Sequence, residues 1–372
     1  MRIAIPAESG PGERRVAATP DVVGKLVGAG YEVAVQAGAG TGAFIDDTAF
    51  SEAGAKMEQD AAATLRGAGL VLRVLPPSVE EAKTVPEGCA VISTGQPANY
   101  REAIDVLAGS KCSVFSTDLL PRISRAQSMD TLSSQASLSG YKAVLVAAVR
   151  LPKFFPMLMT AAGTIPPAKV LVMGAGVAGL QAIATAKRLG AQVSAYDVRP
   201  AVKEEVQSLG AKFVELDLEA AEGSGGYAAE QTEDFQKRQQ ALIAGVVAAS
   251  DVVITTAAIP GRAAPRLVTT EMVEAMKPGS VIVDLAAATG GNCELTVDRE
   301  EVVHNGVTVI GASELPSSMP SNSSQLYAKN LMNLVLSATK EGAFAPDMED
   351  EVFAATCVVN AGEVRLVEKG AK

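Results

Sequence analysis

KVLVMGAGVAGLQAIATAKRLGAQVSAYDVR, Lys169 to Arg199, reads as a strand, a glycine turn, a helix and a second strand with an acid at its end. Gly174, Gly176 and Gly179 are spaced G-x-G-x-x-G, and Asp197 closes the second strand. Each has a mechanical task in holding a dinucleotide. Gly174 makes the tight turn and Gly176 leaves room for a pyrophosphate. Gly179 lets the helix press on the strand, and the helix N-terminal amides then face the phosphates. A carboxylate at Asp197 would accept from adenosine ribose hydroxyls and repel a 2′-phosphate, which favours NAD over NADP; Arg199, two positions on, leaves that preference open. The glycines alone would be weak, but with both strands, the helix and the acid in place the segment reads as a nucleotide site. About 168 residues precede it, so something substantial stands in front.

At 372 residues the chain is too long for one ordinary core, which points to two domains. Apolar residues make up 48 % and Trp is absent, ordinary for tightly packed α/β structure. A net charge of −10 argues against nucleic-acid partners, whose phosphates need clustered Lys and Arg. It argues equally against adhesion to anionic lipid by charge alone. Cys89, Cys112, Cys293 and Cys357 are far apart with no C-x-x-C, as expected of free thiols in a reducing cytosol. The single histidine, His304, reads as a surface residue of the turn HNG, and one histidine rules out a histidine metal cluster. MRIAIPAESG opens the chain as a strand rather than a signal peptide. The apolar run Val170–Ala186 contains the glycine turn and Gln181 between Lys169 and Lys187, which fits a buried strand-turn-helix better than a membrane span.

Along the chain, strands and helices alternate. RIAIPA, EVAVQAG, LVLRVLPP, CAVISTG and CSVFSTD read as strands of a first domain. Thr19-Pro20-Asp21 supplies an N-cap and a Pro at the first position of a helix that Gly30 ends, and helical stretches fall near 61–67 and 101–107. KVLVM, QVSAY, KFVELD, DVVITTA, GSVIVDLA and VTVIGA belong to a second domain. This pattern predicts an α/β fold of two Rossmann-like, doubly wound parallel-sheet domains separated by a cleft. Two long helices, about 126–149 and 322–338, join them, the second with Leu326, Leu331, Leu334 and Val335 among its apolar positions. The second helix returns the chain to the first domain, where VFAATCVVNAGEVRL forms a strand pair about Asn360-Ala361-Gly362. The domains are therefore residues 1–133 with 322–372, and residues 134–321. Between 215 and 240 the pattern fails in an acidic stretch with glycines at 223–226 and Tyr227, either a solvated excursion or a lid.

PRISRAQSMDTLSSQASLSGYKA, Pro121 to Ala143, is the second chemical signal. With Ser124 as its N-cap, a helix here would line up Gln127, Asp130, Ser134 and Ser137 along one stripe, with Ser133 beside them and Arg122 just ahead. Amides, hydroxyls and one carboxylate suit close hydrogen bonding to a polar ligand; a capped interdomain helix is the other reading.

PRISRAQSMD with LSSQ, AGTIPPAKVLVMGAGVAGLQAIATAKRLGA, MKPGSVIVDLA and the opening IAIPAESGPGERRVAATP resemble the NAD(H)-binding component of proton-translocating NAD(P) transhydrogenase, over essentially the whole chain. The resemblance implies a homodimer of two-domain protomers with NAD(H) in the cleft. It implies hydride transfer to NADP(H) on a separate component, coupled to proton movement by a membrane-spanning component. The protein would then be cytoplasmic and attached peripherally to the membrane through its partners. By motif, Arg122, Gln127, Asp130 and Ser133, with the neighbouring Ile123, Ser124 and Arg125, would surround the nicotinamide end, with Gln127 at the point of transfer. Gly174, Gly176, Val177 and Gly179 with Asp197, Val198 and Arg199 would hold the adenosine half. Gly226 and Tyr227 match a mobile loop, about 217–240, which favours the lid, and Ala258 lies where the family's chain passes the nucleotide.

Hydride transfer between two nicotinamides needs proximity, orientation and exclusion of water, not a general acid or base. A chain with one turn histidine fits that. Alanine dehydrogenase is similar in the opening and fingerprint segments, but uses a lysine after its third strand and a histidine after its fourth. Here Arg73 and Leu75 stand in place of the lysines and no histidine lies near Thr94, so a keto-acid site is not expected. A non-catalytic NAD-sensing module is the remaining alternative, and it leaves Arg122 to Ser133 without a purpose.

Overall fold

A computed structural model of the chain describes residues 1–215, 233–258 and 262–365, with 233–238 as helical backbone alone. The chain divides into two compact units, Met1–Gln135 with Pro316–Lys372, and Ala136–Leu315. The expected limits were 133/134 and 321/322. The later one falls early because Ser317 already serves the first unit: its Oγ accepts from the Arg14 amide at 2.7 Å and donates to the Gly12 carbonyl at 2.8 Å.

Each unit is a largely parallel sheet flanked by helices, the expected fold class. The first sheet runs Lys56–Glu58, Glu32–Gln36, Arg2–Ile5, Leu70–Leu72, Ala90–Ser93, Ser113–Ser116, then Cys357–Asn360 and Glu363–Val364 antiparallel at the far edge. In chain order that is third, second, first, fourth, fifth, sixth, with the C-terminal hairpin added. The second sheet repeats it: Lys212–Phe213, Gln192–Tyr196, Lys169–Met173, Val252–Thr255, Val281–Asp284, Val307–Gly311, with Glu301–His304 antiparallel at the edge. In both, connections leave the first and fourth strands in opposite directions, opening a crevice at the carboxyl ends of those strands. Fully buried residues such as Val170, Val172, Val252, Ile254, Val281 and Val283 explain the continuous apolar runs of the second sheet.

Several local expectations are corrected. Thr19 does not cap Pro20–Gly28; its hydroxyl donates to Asp21 Oδ1 at 2.5 Å instead. Lys56–Glu58 is a strand too short for its pattern to announce. His304 ends a strand rather than sitting in the turn, which is Asn305-Gly306, and its Nε2 meets Glu274 Oε1 at 3.0 Å. Val352 to Thr356 are helical, within Glu351–Thr356, and the strand pair begins only at Cys357. Helix Glu233–Ala249 takes in the last residues of the proposed loop; the rest of that loop, with Gly226 and Tyr227, lies outside the described residues.

The largest correction concerns 126–149. Residues Ser124–Met129 form a 3₁₀ turn, Asp130 is extended (φ −73°, ψ 93°), and the α-helix runs Thr131–Arg150. The break has a cause: Asp130 accepts from the Ser133 amide at 2.9 Å and from its hydroxyl at 2.5 Å, so Asp130, not Ser124, starts the helix. Gln127 therefore does not share a helical stripe with Ser134 and Ser137. Further along, a Cβ on Gly140 would lie 2.0 Å from the Ala178 carbonyl oxygen, so this helix rests directly on the helix that follows the glycine turn. Among the described residues no helix is long and apolar enough to cross a membrane.

Gly140→Ala sets helix propensity, worth about 1 kcal/mol in favour of Ala, against an overlap that overpacking studies place at about 1–3 kcal/mol. At 2.0 Å from a backbone oxygen the overlap dominates. With the overlap at the upper end of that range, urea unfolding should show a net loss of up to about 2 kcal/mol; increased stability would mean that the two helices do not meet in this way.

Candidate functional site

In the second unit the glycine turn sits at the carboxyl end of Lys169–Met173, at the crevice between this strand and Val252–Thr255. Tyr196 and Thr255 are both level with Met173, so Asp197, Thr256 and Gly174 emerge together. Gly174 has φ 101°, a left-handed conformation that a side chain resists. A Cβ there would also lie 2.5 Å from Thr256 Oγ1, and the same hydroxyl donates to the Gly174 carbonyl at 3.1 Å. A Cβ on Gly179 would overlap the Gly174 carbonyl oxygen at 1.8 Å. Gly176 is different. Its backbone is ordinary and extended, and a Cβ would meet nothing within 4 Å. Neither backbone geometry nor protein packing requires a glycine there, and the space above the first turn of Val177–Arg188 is open. Beside that space Val177 and Val198 are 45 % and 73 % exposed, apolar surface at the mouth of the turn.

Asp197 holds the turn from below. Its Oδ2 accepts from the Ala175 amide at 2.7 Å and from Arg199 at 2.9 Å; its Oδ1 accepts the Arg199 amide at 2.8 Å and Nε at 2.9 Å. Burial opposes ionisation, but these bonds outweigh it and hold the carboxyl below its ordinary range. All four lone-pair positions are in use. A ribose hydroxyl can reach this carboxylate only as the exposed Arg199 side chain gives way. Ala258 is exposed on the adjoining loop, whose neighbour Ala257 is held by Asn292: its amide donates to Asn292 Oδ1 at 3.0 Å and its carbonyl accepts from Nδ2 at 2.8 Å. Asn292 is in turn fixed by the buried Asp284, which accepts from the amides of Ala286, Asn292 and Cys293 and from Thr296 Oγ1. Sequence reading missed Thr256, Asn292 and Asp284; an aspartate ending the apolar run VIVD was the available signal.

The polar segment of the first unit divides by what each group is already doing. Asp130 and Ser133 are bound to each other. Arg125 is committed to Asp350, with two bonds of 2.7 and 2.8 Å. Arg122, Ser124 and Gln127 are exposed, Ile123 half-buried. The side chains of Arg122 and Gln127 have no hydrogen-bond partner among the described residues, which leaves a guanidinium and a carboxamide for a ligand. Thr131, first in the helix, is buried and donates to Thr117 Oγ1 at 2.7 Å.

At the crevice of the first sheet Arg73 is buried, bonded to Glu81 at 2.8 Å and 3.6 Å from Glu8. Glu8 also accepts the amides of Val74 at 2.7 Å and Leu75 at 3.3 Å. Arg73 is thus neutralised internally, and Thr94 bonds to the hydroxyls of Thr117 and Tyr327.

The glycine turn and the polar loop stand on a chain whose residues 4–139 match the description of the "Alanine dehydrogenase/PNT, N-terminal domain" and 143–366 that of the corresponding C-terminal domain. It is 48 % identical to the first of the separately named pieces of the NAD(P) transhydrogenase alpha subunit of Rhodospirillum rubrum, over 98 % of this chain and 97 % of that one. The chain belongs to the NAD(P) transhydrogenase alpha-subunit family. A solved transhydrogenase from Sinorhizobium meliloti superposes with a TM-score of 0.90 at 46 % identity, covering 98 % of this chain and 100 % of that one. An L-alanine dehydrogenase structure reaches 0.82 at 24 % identity, over 98 % and 97 %, which shows a shared fold. Arg73 is buried with its carboxylate partners in the first unit.

Two outcomes are expected. Gly176→Ala should weaken NADH binding, by roughly tenfold or more if the methyl meets a pyrophosphate, while leaving the thermal midpoint unchanged. Fluorescence titration beside a melt would decide; a lower midpoint with unchanged affinity would contradict it. The second concerns Asp118, which burial pushes up to about 6 against hydrogen bonds from Gln96 and Gly95, and whose Oδ1 has no partner. The folded state therefore holds this proton more tightly than the unfolded chain, where Asp titrates near 3.9. Stability contributed by the protonated form is lost as pH rises from about 4 to 6, on the order of 3 kcal/mol. Asp118→Asn should flatten that window in denaturant titrations; an unchanged slope would refute the assignment.

Proposed function

We propose that this transhydrogenase alpha-subunit homologue binds NAD(H) and passes hydride directly to or from NADP(H) held by a partner component. The observation that carries the reading is the space at Gly176, beside an acid-closed turn at the sheet's crevice. Gly174, Gly176, Val177 and Gly179 take the pyrophosphate and the adenosine side; Val177 and Val198 supply its apolar cover. Asp197, once Arg199 releases it, takes the ribose hydroxyls, and Ala258 lines the passing loop. Arg122 and Gln127 offer the free polar groups for the nicotinamide end, with Asp130 and Ser133 shaping their loop and Ile123, Ser124 and Arg125 framing it. Gly226 and Tyr227 belong to the proposed lid.

The cofactor supplies the hydride chemistry. The protein's role is to orient two rings and keep water out, which needs no titrating side chain. Support for the partner arrangement comes from the likeness to transhydrogenase subunits. On that reading the protein is a homodimer and one component of a proton-translocating NAD(P)+ transhydrogenase. It would be a cytoplasmic protein held at the membrane by its NADP(H)-binding and membrane-spanning partners, the latter coupling transfer to proton movement. No nucleic acid or metal enters the scheme. A keto-acid dehydrogenase is disfavoured because Arg73 is spent on Glu8 and Glu81.

The test mixes the protein with NADH, the NADP(H)-binding component and an NADP+ analogue with a distinct absorbance. Analogue reduction is expected, and Gln127→Asn should slow it about tenfold or more with little change in NADH affinity. Turnover with pyruvate and ammonia but none with the partner would make it an amino-acid dehydrogenase. Binding without either reaction would leave a nucleotide sensor.

A further inference from the structure

The 3₁₀ turn that carries Gln127 is tied down at its next residue. The carbonyl oxygen of Ser128 accepts two side-chain amides from the helix Pro320–Ser337, Asn330 Nδ2 at 2.8 Å and Asn333 Nδ2 at 2.9 Å. Those two bonds use both lone pairs of that oxygen. Three residues apart on a helix, the two asparagines lie on one face, and each aims a donor at the same point. Asn330 is buried, and its other end is also occupied: Oδ1 accepts from Ser134 Oγ at 2.7 Å. One carboxamide therefore spans the break at Asp130, joining the turn before it to the helix after it. Apart from that tie the turn is held by Ala126 and Met129, its two buried side chains, and by the ion pair of Arg125 with Asp350, which anchors its start but not the Gln127 end.

We propose that Asn330 and Asn333 are positioning residues for Gln127. By holding the Ser128 carbonyl they set where the Gln127 carboxamide stands, and with it the geometry of hydride transfer. The inference rests on the role given to Gln127 in the proposed function. Nothing in the sequence of YAKNLMNLV marked these two positions, because an Asn pair on a mostly apolar helix reads as its polar edge.

Asn333 is only half-buried, so changing it leaves the fold intact. Asn333→Leu removes the donor, and Asn333→Asp keeps the shape while turning an oxygen toward the Ser128 carbonyl. With the partner component present, both variants should lower the single-turnover transfer rate about tenfold or more. NADH affinity should stay within about twofold and the thermal midpoint within a few degrees. Asn333→Gln, which retains the amide donor, should recover most of the rate. Hydrogen exchange at residues 125–130 should quicken in Leu and Asp variants alone. An unchanged transfer rate in both variants overturns the proposal, as do parallel losses of affinity and thermal stability. Wild-type protein that transfers nothing with its partner sinks the proposed function and this inference together; a transferring wild type beside unaffected variants sinks this inference only.

Discussion

Helix Val177–Arg188 starts where it does because Gly179 has no side chain. The Gly174 carbonyl oxygen occupies the place a Cβ would need, at 1.8 Å. That approach brings the helix down on the strand end and fixes the direction in which its free amides point. Much of the second unit's site follows. Thr256 closes on the same carbonyl from the fourth strand, Asp197 clamps Ala175 from the second, and the helix Thr131–Arg150 settles against Ala178 through Gly140. Contacts at this distance tolerate no added atom, whereas Gly176 tolerates one freely. Two glycines three positions apart thus differ in kind: the fold requires Gly179 and leaves Gly176 open.

In the first unit the polar residues sort themselves by commitment. A carboxylate already capping a helix, as Asp130 is, and a guanidinium already paired, as Arg125 is with Asp350, cannot be given up to a ligand without cost. Gln127 and Arg122 carry no such obligation. The same sorting applies at the crevice of the first sheet, where the Arg73 charge is paired with Glu81 and lies 3.6 Å from Glu8, and the hydroxyls of Thr94, Thr117, Thr131 and Tyr327 bond to one another. A buried polar group with all its partners is structure; an exposed one with none is available.

The fold was largely legible, because its signals are local. Apolar runs bounded by turn residues located most strands of both sheets, and glycine spacing located the crevice of the second. What escaped depended on contacts distant in sequence or on competition between near-equal local choices. A 3.6-residue count through Gln127, Asp130 and Ser134 suggested one helix, yet Asp130 is worth more as a cap than as a helical residue. VFAAT offers β-branched and aromatic residues suited to a strand, but Asp350 accepts from the Val352 amide and begins a helix. Asn292, Asp284, Asn330 and Asn333 act through partners tens to hundreds of positions away, or through loop amides, and no periodicity announces them. The lysine-to-arginine difference at Arg73 was visible; its pairing with Glu81 was not.

The order in which the chain is made sets the order in which its parts can be completed. Ala136–Leu315 is continuous and contains all seven strands of its sheet among the described residues. The first unit is not. Its sheet takes an edge strand from Cys357–Asn360, its core takes Tyr327, Leu331 and Leu334, and Phe344 and Phe353 pack edge-on against Phe115 at 5.6 and 6.2 Å. Even the amino group of Met1 donates to the carbonyl of Gly342, at 2.9 Å. A nascent chain therefore exposes Ser113–Ser116 and its neighbours until Cys357–Asn360 has been made, by which time Ala136–Leu315 is complete. Topology works against the usual order, in which the amino-terminal domain matures first, because Ser113–Ser116 waits for Cys357–Asn360 to pair with it.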